Sequence, residues 1–508
     1  MATPHGKSLI AGKRSPRSGK TFQAFSPVEL NSLPGDFLPA ELDEVDEAMK
    51  AAREAFPSFR ATSGETRAAF LEAIAGNLIS LGAGLIRRAQ LETGLSENRL
   101  RGELDRTTGH LKMFAAIARD GSWQDLRHEP ALPERQPTPR PDLKRIFQPI
   151  GPVAVFGSSN FPFAYSVAGG DTASALATGN PVVVKAHEAH PGTSELVAGA
   201  ILSAAESMSL APGVFSLLQG PGKLLAVPLV THPDCRAVGF TGSTNVGRIL
   251  IDAAARRPDP IPVFAEMGSL NPVVILPSAL EDQSDEIADL LIRSITTDAG
   301  QFCTKPGVVL VPRTQRTEHF INQLSLKLAA VSPVPMLHRG IHEDFQKGAA
   351  KLRSLSSVAL IAHKPADPGT LQGEPQLFLT DYGSFLSGDD FRREYFGPLS
   401  IFVTYPDSDS IRPVLRSISG QLTASVFSEP TDPALDPLLP LLGEIAGRVI
   451  FNGVPTGVEV NSAIQHGGPW PACSDSRFSA VGPDALRRFI RPIAYQNFDP
   501  GLFQRTVG

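Results

Sequence analysis

The segment GQFCTKPG, residues 300–307, sets a cysteine between two glycines. Near neutral pH a thiolate attacks a carbonyl carbon more readily than any other single side chain. Gly300 and Gly307 would let the backbone approach a bound ligand closely. A lone cysteine is more often a small buried hydrophobe, so a nucleophilic Cys303 needs partners. Glu266, in AEMGSLNP at 265–272, follows an apolar run and precedes Gly268 and an Asn-Pro turn. It reads either as a solvated strand-end carboxylate or as a general base whose pKa is raised by a dry pocket. In FTGSTNVGR, 240–248, the small residues Thr241, Gly242, Ser243 and Gly247 fall where a strand meets a helix. A helix start of that kind accepts phosphate through free N–H groups and the helix dipole, and an ordinary capping turn has the same composition. Lys185 and Glu188, in VVVKAHE, leave the C-terminal end of a predicted strand. That is the edge at which open α/β sheets bind ligands, although a plain surface pair would look alike. EYFGP, 394–398, places Glu394 and Phe396 before a Gly-Pro turn.

The elements around these residues change character along the chain. Helical spacing of apolar residues begins after residue 41 and recurs over 66–92, where Gly76, Gly82 and Gly84 weaken it, and over 100–119. Residues 122–141, rich in Pro, Arg and Glu, read as an exposed connector. From Pro152 short apolar strands (VAVFG, PVVVK, VFSLLQG, AVGFTGS) alternate with helices, the pattern of a doubly wound parallel sheet. A second α/β region follows Glu266, with strand candidates NPVVIL, GVVLVP, SVALIA and SIFVTY.

Composition removes several classes of function. With 508 residues, 42% hydrophobic and 19% charged, the chain is a soluble globular protein of two or three domains. A net charge of −5 without a basic block gives no case for nucleic acid or an anionic membrane. The charge-free stretch 146–170 is broken by Pro149, Gly151, Pro152, Gly157 and Pro162, so it reads as a buried strand and a polar loop rather than a membrane span. Cys235, Cys303 and Cys473 are far apart and form no CxxC pair, which argues against disulfides and a structural zinc and for a reducing cytoplasm. MATPHGKSLI lacks the apolar core of a signal peptide.

Taken in order, SNFP (159–162), FTGS (240–243), EMG (266–268), GQFC (300–303) and EYFGP resemble the aldehyde dehydrogenase superfamily over nearly the whole chain. Residues 156–196 look like the branch holding 2-oxoglutarate semialdehyde (2,5-dioxovalerate) dehydrogenases and a bacterial fatty aldehyde dehydrogenase. The tail NGVPTGVEV…HGGPWPACSDSRFSAVG…RFIRPIAYQ is similar to the semialdehyde enzymes in particular. The broader superfamily has a tryptophan and a second glycine where this chain has Ser159 and Ser269.

The resemblance implies an α/β fold with a doubly wound NAD(P)-binding domain over 1–138 and 152–265. It implies a catalytic domain over 266–466, and a β oligomerisation extension over 139–151 and 486–498 that makes a homodimer or homotetramer. It implies Cys303 as nucleophile, Glu266 as the base that hydrolyses a thioester, and Asn160 as oxyanion donor with the Cys303 backbone N–H. Lys185 and Glu188 would face the adenosine ribose, Gly242 and Ser243 the pyrophosphate, and Glu394 and Phe396 the nicotinamide ribose; no metal is implied. The cofactor is NAD or NADP. NAD is favoured because Glu188 accepts ribose hydroxyls and repels a 2′-phosphate, an effect that Lys185 and Lys223 can offset. The expected reaction takes 2-oxoglutarate semialdehyde to 2-oxoglutarate. Arg106 and Arg477 are candidates for pairing its carboxylate, and Phe163, with Phe161, Phe302 and Trp470, for an apolar wall. The alternatives are a medium- or long-chain fatty aldehyde dehydrogenase, an acylating enzyme that passes the thioester to coenzyme A, and a binding protein that kept the fold without catalysis.

Overall fold

The computed structural model describes residues 4–455 and 457–507. Met1 to Thr3, at the start of the N-terminal stretch, and Thr456, within the tail motif, lie outside the described residues.

Two seven-stranded sheets carry the chain. In the first, Val263–Glu266, Ala237–Thr241, Val153–Phe156, Val182–Lys185 and Phe215–Leu218 lie side by side and parallel. Every residue of Val153–Phe156 and Val182–Lys185 is buried, which is why these strands read as unbroken apolar runs. Val153 and Val155 face a core shared with the helices Gly64–Thr93, Glu97–Asp120 and Pro191–Ser207. Ala154 and Phe156 face the opposite core, with Leu42–Arg60, Gly222–Thr231 and Thr244–Ala255. The period-two alternation of the strand thus sorts its side chains onto two helical layers. Beyond Phe215–Leu218, the short strands Leu9–Ile10 and Lys13–Arg14 add an antiparallel edge.

Helix Gly64–Thr93 is apolar and long enough to cross a membrane. Its buried residues, Phe70, Leu71, Ile74 and Leu85 among them, pack instead into the core of the first sheet. Glu92, fully buried near its end, accepts from the Gly192 and Thr193 N–H groups at 2.9 and 2.8 Å, from the Thr193 hydroxyl and from Arg88. A carboxylate from one helix therefore caps the N-terminus of the next, Pro191–Ser207, where the dipole favours negative charge.

The second sheet runs Ala359–His363, Gln376–Asp381, Leu399–Tyr405, Val308–Pro312, Val273–Ile275, Gln421–Phe427 and Ala446–Phe451. Neighbours are parallel except for the outer strand Ala359–His363. Gln376–Asp381, Gln421–Phe427 and Ala446–Phe451 were not among the strands expected from the sequence. They carry Gln, Thr, Ser and Arg at positions where buried strands are usually apolar, and partners elsewhere in the fold satisfy several of those side chains. A three-stranded antiparallel sheet stands apart, with Leu143–Pro149 between Ile490–Gln496 and Arg127–Glu129. Residues 127–129 belong to the stretch expected to be a connector. They are exposed, yet they pair in register from Arg127 with Arg145 to Glu129 with Leu143.

After the second sheet the tail crosses back. Met267 N donates to Ala472 O at 2.8 Å, and Ser474 N donates to Ala265 O at 3.0 Å. Residues 466–474 thereby come to lie at the C-terminal end of Val263–Glu266, where the two sheets face each other.

Candidate active site

Cys303 lies beyond helix Pro277–Thr296 in a turn the backbone would not adopt unaided. Asp298, Ala299 and Gly300 have φ of 49°, 54° and 64° in succession. Left-handed conformations of non-glycine residues cost roughly 1–2 kcal/mol each and persist only where their surroundings impose them. Arg99 imposes this one. Its Nε donates to Asp298 at 2.9 Å and its Nη1 to the buried Glu103 at 2.8 Å, and its guanidinium lies 4.5 Å from the Phe161 ring centroid. Gly300 has a second constraint, since a Cβ there would fall 2.4 Å from the Gly397 oxygen. The cysteine turn and the Gly-Pro turn of EYFGP therefore pack backbone to backbone. Downstream, the Asn271 side-chain amide donates to the Cys303 and Lys305 carbonyls at 2.8 and 3.0 Å.

Glu266 ends its strand with the side chain 3% exposed. His466 Nε2 lies 3.0 Å from its Oε1 and 3.7 Å from the Cys303 sulfur, and the three donor atoms fall within 4.8 Å of one another. Burial raises the Cys303 thiol well above its ordinary pKa, and the neighbouring Glu266 charge raises it further. Burial also pushes Glu266 upward, but the neighbouring His466 and the charge of Arg106 outweigh it, so the carboxyl sits below its usual range. The expectation of a base with a raised pKa is corrected accordingly: the pocket is dry, but it places His466 and the charge of Arg106 by the carboxylate. The pair rests as thiol and carboxylate, with the acceptor for the thiol proton already in place. Cys235 and Cys473 are buried thiols, the former pushed up to about 11.

Asn160 comes to the same place from the first sheet. Its Nδ2 donates to the Gln301 carbonyl at 2.9 Å, which uses one of its two hydrogens. Glu103 holds the loop by accepting from Phe163 N and Ala164 N at 2.8 and 2.9 Å. Glu103, Arg99 and Asp298 thus form one chain of ion pairs that ties the Asn160 loop to the cysteine turn.

The expected cofactor residues line the strand ends. Lys185 is buried and paired with Glu188. Burial works against the Glu188 carboxylate, but Lys185 and His187 bring its pKa down to about 2. Gly242 donates its N–H to Glu266 O at 3.1 Å, and Ser243 caps helix Thr244–Ala255 by accepting from Val246 N. Glu394 faces Gly268, where a Cβ would fall 2.3 Å from Oε2. Its burial raises it to about 7 against the pull of Lys305. Phe396 packs on the core of the first sheet although it leaves the second. These are the features a dinucleotide needs: a helix start at the strand ends, carboxylates for hydroxyls and a cradle that glycine leaves open.

The structure treats the substrate candidates differently. Arg106 reaches the site wall, with Nη2 donating to the Tyr165 hydroxyl at 3.2 Å and Nε buried without an acceptor. Burial disfavours its charge, but Tyr165, Cys303 and Glu103 keep the guanidinium protonated. Arg477 does not serve: its side chain is 79% exposed and Asp475 takes up its charge from two nitrogens. Phe163 is core, 1% exposed. The aromatic wall is Phe161 against Phe302, with centroids 5.6 Å apart, and Tyr165 beyond Phe161. Trp470 stays 46% exposed under Arg248. His466, Arg99, Asn271 and Tyr165 escaped the sequence reading. For His466 there was one signal, the following Gly467 and Gly468; a Cβ on Gly468 would meet the Gln421 oxygen at 2.1 Å.

Residues 14–348 match the family model described as "Aldehyde dehydrogenase family". The chain belongs to the aldehyde dehydrogenase family. It is similar to alpha-ketoglutaric semialdehyde dehydrogenase 2 of Azospirillum brasilense, 45% identical over 98% of this chain and 95% of that one. It is also similar to alpha-ketoglutaric semialdehyde dehydrogenase of Acinetobacter baylyi, 42% identical over 98% and 94%. Among solved structures, aldehyde dehydrogenase C of Pseudomonas syringae, a mutant in complex with NAD+ and octanal, has the same fold with a TM-score of 0.82. It is 22% identical and covered over 98% of both chains. Betaine aldehyde dehydrogenase of Staphylococcus aureus in complex with NAD+ has a TM-score of 0.84 at 19% identity, over 98% of this chain and 95% of that one.

In this aldehyde dehydrogenase the Glu266 charge has a measurable signature. Alkylation of Cys303 by iodoacetamide should rise with pH and level off above the range of a free thiol. In Glu266→Gln the inflection should move down, because a like charge has been removed. An unchanged or higher inflection in that variant would show that Glu266 does not act on the thiol.

Proposed function

We propose that the chain oxidises 2-oxoglutarate semialdehyde to 2-oxoglutarate with NAD(P). One observation carries the substrate: Arg106 is a half-buried guanidinium at the site wall whose buried Nε has no acceptor and which forms no ion pair with a carboxylate among the described residues. A substrate that brings a carboxylate completes that site, whereas a neutral aldehyde leaves it unpaired. The names of the two relatives above support the same substrate.

Cys303 attacks the aldehyde carbon and passes its proton to the Glu266–His466 pair. The resulting oxyanion takes the free hydrogen of the Asn160 amide and the Cys303 N–H. When bound, NAD(P)+ would supply the hydride acceptor, and Lys185, Glu188, Gly242, Ser243, Glu394 and Phe396 would hold it. Once that first proton has passed to solvent, Glu266 takes a proton from water, the hydroxide attacks the thioester carbon, and the Cys303 thiolate leaves as the acid is freed. Glu266 also argues against transfer to coenzyme A, which has no need of a base for water.

Glu266→Gln should therefore give a burst of NAD(P)H close to one equivalent of enzyme, followed by turnover slowed by about 10²-fold or more. Steady turnover at the wild-type rate, with no burst, would place the base elsewhere.

NAD is the preferred cofactor on this reading, since Glu188 is ionised at neutral pH and Lys185 is engaged with it. In steady-state assays kcat/KM should be higher with NAD than with NADP. It should also be higher for 5-oxopentanoate than for pentanal, by about tenfold or more, and Arg106→Gln should erase that ratio. Efficiency that climbs from butanal to decanal with no gain for the acid would favour the fatty aldehyde reading.

The chain is further proposed to work as a homodimer or homotetramer in the cytoplasm. Two edge strands support assembly: Ile490–Gln496, and Ala446–Phe451 with Val449 and Phe451 39% and 45% exposed. Three free thiols suit a reducing compartment. Sedimentation equilibrium should return a mass of two or four chains, and a monomer would overturn this.

A further inference from the structure

A second arginine also has buried nitrogens without an acceptor among the described residues. Arg448 stands on the edge strand Ala446–Phe451, opposite Thr423 of Gln421–Phe427. The residue before it, Gly447, lies so tightly on the tail that a Cβ would fall 1.9 Å from the Gly467 oxygen. The strand is thereby pressed against the segment whose preceding residue is His466. Nε and Nη2 of Arg448 are buried with no acceptor among the described residues. Burial works against its charge, while Cys303 and Tyr165 favour it. The Tyr165 ring, whose hydroxyl Arg106 holds, has its centroid 6.1 Å from that of His466, the residue before the Gly467 on which the strand rests. Arg106 comes from a helix of the first sheet's layer and Arg448 from the rim of the second sheet.

Two guanidinium groups that each leave buried N–H donors unmet are costly unless an anion joins them. A planar 2-oxo acid suits the gap: it presents two carboxylate oxygens and a keto oxygen, and each guanidinium offers parallel N–H donors. We propose that Arg448 and Arg106 form a clamp for the 2-oxo acid end of the substrate, with Arg448 the specificity residue contributed by the second sheet. This rests on the substrate reading above and adds the residue that distinguishes a 2-oxo acid from a neutral chain end.

The test compares kcat/KM for 2,5-dioxopentanoate, 5-oxopentanoate and pentanal in the wild type, Arg448→Gln, Arg448→Lys and Arg106→Gln. Arg448→Gln should lower the ratio of 2,5-dioxopentanoate to pentanal by about tenfold or more, and Arg448→Lys, which keeps the charge without the fork, should recover part of it. A merely structural role would depress all three substrates together and leave the ratio intact, and that result overturns the clamp. A wild type that prefers the acids, with the preference lost in Arg106→Gln and kept in Arg448→Gln, overturns the clamp and spares the substrate reading. A wild type with no preference overturns both. Should Arg448→Gln fail to fold, Arg448→Lys decides through 2-oxoglutarate protection of Cys303 from iodoacetamide. The concentration giving half-protection should rise by about fivefold or more over the wild type, and an unchanged value overturns the clamp.

Discussion

Glu266 is a carboxylate kept from water beside a thiol, and much of the surrounding structure answers the cost of placing it there. A buried charge without partners is expensive enough that the group would protonate instead. His466 at 3.0 Å and the charge of Arg106 hold it ionised, while its own field keeps Cys303 a thiol. With Cys303 raised and Glu266 lowered, the carboxylate is the weaker base of the two, yet it stands as a proton acceptor beside the group that must lose a proton. The same arrangement explains why the tail returns to the first sheet. The backbone bonds at Ala265 and Met267 bring the tail, and with it His466, to the carboxylate.

The pieces of the site come from both sheets, and glycines let them close. The Gly300 Cα meets the Gly397 carbonyl, Gly268 leaves room for Glu394, and Gly447 meets Gly467. Each is a place where one added carbon would separate two motifs. Charge does the complementary work, with Glu103, Arg99 and Asp298 linking the oxyanion loop to a cysteine turn that has three successive residues at positive φ. The strain in that turn is held by an ion-pair chain more than half-buried from water, where such pairs are screened least.

Sequence patterning carried the architecture where one physical rule governs it. Strands covered on both faces must be continuously apolar, so VAVF, VVVK, FSLL and AVGF were legible as a parallel sheet. Gln421–Phe427 and Ala446–Phe451 were not, because their polar residues are satisfied only by distant partners. The Gln421 side chain accepts from Leu270 N and Asn271 N, and the Thr423 hydroxyl donates to Asn271. The strand Arg127–Glu129 is exposed and charged, and only the register of Leu143–Pro149 makes it a strand.

The sequence by itself determined the chemistry on offer: a cysteine in a glycine turn, a carboxylate before a glycine, an amide, and strand ends with Lys185, Glu188 and Glu394. These lie in short local motifs whose residue types are tied to what each turn must do. Tertiary structure decided which charges meet. Arg106 and Arg477 are both single arginines in polar segments, and nothing local separates them. Folding half-buries one at the site wall with its Nε unmet and leaves the other in water with Asp475. Phe163 and Phe161 are two residues apart, yet the loop turns one into the core and the other toward Arg99 and Phe302. His466 lies 163 residues from Cys303 in the chain. Its role arises only from the crossing of the tail, because Coulomb interactions and hydrogen bonds depend on distance in space and carry no local signature.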